Sequence, residues 1–123
     1  MPINKYTKYG NIKISDSAIS VLVGSTVCEC YGVVGVTSQN LIVDGINELL
    51  GKENYSKGVI VKNKNNILEF DLYIVVGLDV KIPTVVTEIQ KRIKYIVEKS
   101  LNMDVGSVNV HIEGMKGNND ENY

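Results

Sequence analysis

Nowhere does the sequence hold the roughly 18 to 20 consecutive apolar residues that a membrane-spanning helix needs. Its start, Met1-Pro2-Ile3-Asn4-Lys5-Tyr6, also lacks the apolar stretch of a secretory signal. Direct insertion into a membrane is therefore not expected, and a cytoplasmic location is. Cysteine is scarce: Cys28 and Cys30 are the only two, and neighbours two positions apart in a helix are poorly placed to bridge. Reduced thiols fit a cytosolic compartment. An excess of one charge is missing as well. Thirteen Lys plus Arg against fourteen Asp plus Glu leave a net charge of -1, without the broad positive field of nucleic-acid binders.

Apolar residues are what the chain has in quantity. A composition 44% hydrophobic and 22% charged over 123 residues describes one packed domain with disorder confined to its ends. The expected boundaries are a loose segment over 1–8, the domain over 9–115 and a disordered polar tail over 116–123.

Hydrophobic periodicity orders the elements. Tyr9 to Ile14 reads as a strand with Ile12 and Ile14 on one face. Ser15 offers an N-cap to a helix whose stripe is Ile19, Leu22, Val23, Thr26, Val27 and Cys30, ended by Gly32. A short extended piece at 35–37 precedes a short helix over 38–50, carried by Leu41, Ile42, Ile46, Leu49 and Leu50. Residues 52–57 are turn-like. Strands at 58–62 and 67–76 form a hairpin through Asn63-Lys64-Asn65-Asn66. Leu68, Phe70, Leu72, Ile74 and Val76 share one face of the longer strand. Pro83 opens a second long helix with Val85, Ile89, Ile93 and Val97 in its buried stripe, and a last strand runs over 105–114. This order predicts an α+β two-layer sandwich: two long helices and one short helix on a small, mainly antiparallel sheet of about four strands.

Chemistry is hard to find among these elements. Residues two apart on a helix point about 200° apart, so Cys28-Glu29-Cys30 does not suit one metal ion, and Cys30 is expected to pack. His111, flanked by Asn109 and Glu113, falls short of the ligand count of a zinc site. Glu69 and Asp71 alternate outward with no catalytic partner in sight, and Ser15 and Ser17 read as helix-start residues. No catalytic, metal or cofactor set is expected, and no small-molecule substrate. Gly32-Val33-Val34-Gly35 matches the Gly-x-x-Gly loop of RNA-binding KH domains in its glycines alone, with no Lys or Arg beside it. Turn formation by Gly32 and Gly35 is the preferred reading, and a small RNA-binding domain is the alternative. Lys81, Lys91, Arg92, Lys94 and Lys99 make the second long helix net basic, a composition that suits an anionic membrane surface, but Glu88 and Glu98 dilute it and a solvated helix face is the preferred reading.

One feature asks for a partner. Val59, Ile60 and Val61 are consecutive apolar residues, and Ile67, Tyr73 and Val75 stand opposite the core face of the long strand. Two helices cover one side of a sheet. Val59, Val61, Ile67, Tyr73 and Val75 are therefore the expected contacts for a protein partner, a second copy included.

Gly10-Asn11-Ile12-Lys13-Ile14-Ser15, Glu29-Cys30-Tyr31-Gly32-Val33-Val34-Gly35-Val36, Asp44-Gly45-Ile46-Asn47-Glu48-Leu49-Leu50 and Gly58-Val59-Ile60-Val61 occur in an order and spacing met elsewhere. With Ile89-Gln90-Lys91-Arg92-Ile93-Lys94-Tyr95 and Ser107-Val108-Asn109-Val110, they resemble the alkaline-shock envelope stress response family of Gram-positive bacteria, above all its short YloU-like members. The sequence departs at Val76-Gly77-Leu78, where that family more often has an aromatic before the glycine. The resemblance implies a non-enzymatic cytoplasmic protein that gathers at the membrane on small membrane-anchored partners and supports envelope homeostasis. It brings no catalytic residues. It also leaves Ile12, Ile14, Leu72, Ile74, Val108 and Val110 as the residues expected to hold the sheet.

Overall fold

The long strand around which the fold is built runs Ile67–Gly77 and uses both of its edges in full. In this computed structural model residues 3–38 and 49–117 are described, together with the backbone at 42–43 and 46–47. The elements in chain order are β1 (Ile3–Thr7), β2 (Gly10–Ile14), α1 (Asp16–Cys28), β3 (Val33–Val36), β4 (Ile42–Val43) and β5 (Ile46–Asn47). A 3-10 helix (Lys52–Lys57), β6 (Val59–Lys64), β7 (Ile67–Gly77), α2 (Ile82–Leu101) and β8 (Asp104–Lys116) complete it.

β8 pairs parallel to β7 along its whole length, as the α2 crossover between them requires. The opposite edge of β7 is shared end to end by two antiparallel strands: β6 takes residues 67–72 and β3 takes 74–76. At the junction Tyr73 N–H donates to the Gly58 carbonyl and Thr37 N–H donates to the Tyr73 carbonyl. A side chain at Gly58 would collide with the Thr37 carbonyl oxygen, so the two edge strands meet only because a glycine stands there.

Both long helices lie on one face of this sheet. Ser15 caps α1 by accepting from Ala18 N–H at 3.1 Å, and Pro83 sits in the first turn of α2. Ile19, Val23 and Val27 from α1 and Val85, Ile89, Ile93 and Val97 from α2 pack on Leu68, Phe70, Leu72, Ile74 and Val76, all buried. The expected α+β sandwich with its β7 core face is the observed one. Its short helix, however, is the 3-10 turn at Lys52–Lys57. Within 38–50 the chain instead pairs Ile42–Val43 with Ile46–Asn47, and the rest of that stretch, 39–41, 44–45 and 48, lies outside the described residues.

Three further expectations are corrected. Within the segment expected to be loose, Ile3–Thr7 form β1, which pairs with β2, and Ile3 is 1% exposed in the core; residues 1–2 lie outside the described residues. β2 is no strand of the main sheet, and Ile12, expected to hold that sheet, is exposed. Lys116, assigned to the tail, is the last residue of β8, while 118–123 lie outside the described residues.

Candidate functional site

The hairpin turn decides which β6 side chains can serve a partner. Asn65 and Asn66 both adopt positive φ, 53° and 65°, the pair of left-handed residues that makes a tight two-residue turn. The resulting register sets Val59 against Leu72 and Val61 against Phe70. Val59 is consequently buried in the core and Val61 packs at its margin, so neither belongs to the outward face, contrary to expectation. Ile60 takes that place opposite Asp71, 37% exposed, and Ile67 at the strand start is 41% exposed. Tyr73 is half-buried and does look outward. Val75 looks outward but is fully buried; it pairs with Gly35, against which the Leu49 side chain lies.

Between these apolar points the outward face is a polar network across β6, β7 and β8. Asp71 stands at its centre: its Oδ1 accepts from Asn109 Nδ2 at 3.2 Å and faces His111 Nε2 at 3.2 Å, while Oδ2 lies 3.7 Å from Lys62 Nζ. Burial pushes the Asp71 carboxyl up, but the hydrogen bonds from His111 and Asn109, with the Lys62 charge, outweigh it and hold its pKa below the usual carboxylate value. The carboxylate partner places a proton on His111 Nε2. The imidazole also stacks on Tyr73, ring centroids 4.6 Å apart and 15° from parallel. Lys64 and Glu69 form a further cross-strand pair at 3.9 Å. Among the described residues no three His, Cys, Asp or Glu side chains converge as metal ligands.

The other singled-out residues serve the fold. Gly32 has a φ of 89° and a Cβ there would meet Val85 and Val80 at 2.8 and 3.0 Å; its carbonyl accepts from Gly77 N–H. Gly32 is thus the expected turn residue. Gly35 is not, because it lies within β3 at a register shift. The loop backbone bonds within the fold, Val33 N–H to the Cys30 carbonyl and Gly77 N–H to the Gly32 carbonyl, and the RNA-binding alternative is left without support. Cys30 packs as expected, its thiol pushed up by burial. Cys28 Sγ lies 3.3 Å from the Tyr55 hydroxyl, and that hydrogen bond, with burial, raises the Tyr55 pKa to about 12. The Tyr55 ring in turn packs closely against Gly24 of α1, a contact that the turn-like residues around it did not announce.

A concave feature of about 380 Å³ lies between the helices, lined by Thr26, Glu29, Lys91, Arg92, Tyr95 and Ile96. Arg92 is held there by Glu88 at 2.9 Å. No helix among the described residues is long and apolar enough to cross a membrane.

Residues 4–117 match the family of alkaline shock protein 23, described as having a cell envelope-related function. The chain belongs to this alkaline-shock family. It is 40% identical to the uncharacterized protein YloU of Bacillus subtilis strain 168, over 97% of this chain and 99% of that one. The uncharacterized Spy1614 of Streptococcus pyogenes serotype M6 is also 40% identical, over 94% of this chain and 96% of its own. YqhY of Bacillus subtilis, likewise uncharacterized, is 29% identical over 89% of this chain and 80% of its length. No solved structure matches. The envelope-related function goes with that membership.

Proposed function

We propose that this alkaline-shock family chain is a non-enzymatic, cytoplasmic protein-interaction module. In this reading a small membrane-anchored protein recruits it to the inner face of the membrane, where it supports the envelope stress response. The observation that carries the reading is the one-sided sheet: helices cover one face, and the other presents Ile60, Ile67 and the Tyr73–His111 stack around an ordered polar network. Aromatic and aliphatic anchors set among hydrogen-bonding groups are the composition of a recognition surface. The envelope-related function of the family supplies the setting. No cofactor and no small-molecule substrate enters this reading.

Affinity capture of the tagged chain from detergent-solubilised cells, read by mass spectrometry and checked for nucleic acid, tests it. A variant carrying Ile60→Lys and Tyr73→Asp should lose a membrane-anchored protein that the wild type retains, while keeping its fold by circular dichroism. Equal recovery by both chains, or recovery of RNA alone, would overturn the proposal.

A further inference from the structure

β8 has a second edge, and among the described residues no strand pairs with it. The hydrogen-bond directions of that edge follow from the ladder. Tyr73 bonds toward β3 and β6, so the even-numbered residues of β7 bond toward β8, and the β8 residues registered with them turn their own N–H and C=O outward. Two contacts agree: Gln90 Nε2 donates to the Val108 carbonyl at 3.0 Å from outside the ladder, and Lys116 C=O accepts from Leu78 N–H on the inside. The outward set is Val105, Val108, Val110, Ile112 and Met115, because the register shifts skip Gly106 and Glu113.

That set is symmetric about Val110. We propose that a second copy of this chain adds to the β8 edge, antiparallel, about a two-fold axis through Val110. Val110 then faces the partner's Val110, Val108 faces the partner's Ile112, and Val105 faces the partner's Met115, each as a hydrogen-bonded pair. The residues skipped at the two register shifts, Gly106 and Glu113, fall within one place of each other across the axis. Charge agrees, since Asp104 is brought against the partner's Lys116. Met115 is 43% exposed, and in the pair it reaches a groove of about 370 Å³ between α2 and β8, lined by Gln90, Lys94, Val105 and Val108. The stretch from Ser107 to Ile112 carries none of the Lys or Pro residues that guard free edges. Gln90 is the placeholder that an incoming strand displaces. The inference deepens the interaction-module reading by naming one partner, and a single-copy result would remove it without touching membrane docking.

Light scattering after size exclusion, across a concentration series, tests the pair. The wild type should run at twice the 13.6 kDa chain mass, and Val110→Pro, which removes only an outward N–H, should weaken association at least tenfold. Cysteine cross-linking in a Cys28→Ser background reads the register even if the proline variant fails to fold. Hydrogen-bonded antiparallel partners lie about 5.5 Å apart at Cα, within disulfide range. Val110→Cys should cross-link to itself. Val108→Cys and Ile112→Cys should cross-link when mixed and not alone. A wild type at the mass of one copy throughout, or a dimer in which Val110→Cys does not cross-link, overturns the proposal.

Discussion

Asp71 shows how one carboxylate can organise an exposed sheet face. Its pKa is lowered in the folded chain, so the unfolded chain binds the proton more readily and stability rises with pH through this window. The contribution is complete above the ordinary Asp value of about 4 and is lost as pH falls through the lowered folded value. Urea unfolding followed from pH 7 down to pH 3 should therefore show a steeper acid loss for the wild type than for Asp71→Asn. Gly24 makes an opposing pair of effects measurable. Alanine gains about 1 kcal/mol of helix propensity, but its methyl would sit within the Tyr55 ring, and overpacking of this kind costs about 1 to 3 kcal/mol. Gly24→Ala should lower the urea midpoint. Neither Tyr55 contact was legible beforehand, because a residue in a polar turn gives no periodic signal for the helix it packs against.

At the scale of elements, legibility followed periodicity. The alternation from Leu68 to Val76 and the helical stripe through Val85, Ile89, Ile93 and Val97 were each read correctly, since a strict period of two or 3.6 assigns a face unambiguously. Val59-Ile60-Val61 has no alternation, and there the assignment of faces was inverted. The two-residue turn at Asn65-Asn66 sets Val59 opposite Leu72 and Val61 opposite Phe70; a four-residue turn would shift the pairing by two places and keep the same residues on each face, so the error lay in the faces assigned to the run itself. The stretch 38–50 misled for the opposite reason: its apolar spacing suits a helix, yet Ile42–Val43 and Ile46–Asn47 pair as strands. β1 was missed because five residues with one buried apolar side chain, Ile3, barely form a pattern. That single anchor gives the element its test. Ile3→Ala should cost about 2 to 4 kcal/mol by thermal or urea unfolding, whereas a loose segment would tolerate it without change.

For the whole molecule, the helices cover one side of the sheet and the polar network lies on the other, and the proposed function assigns stability to the first and recognition to the second. Substitutions at Ile60 or Ile67 should leave unfolding within about 0.5 kcal/mol of wild type, as surface changes do, while Val59→Ala should destabilise by more than 1 kcal/mol because it empties a packed site. The sequence resemblance pointed to the family, which the match over residues 4–117 bears out, while the outward face of β6 was read from the pairing of Val59 with Leu72 and Ile60 with Asp71. The most direct measurement places a photo-crosslinking amino acid at Ile60 in living cells, with a second chain carrying it at Glu98 on the exposed side of α2. The account expects the Ile60 position to capture a membrane-anchored protein that the Glu98 position does not. Capture from Glu98 alone, or from neither, would contradict the assignment of the outward sheet face.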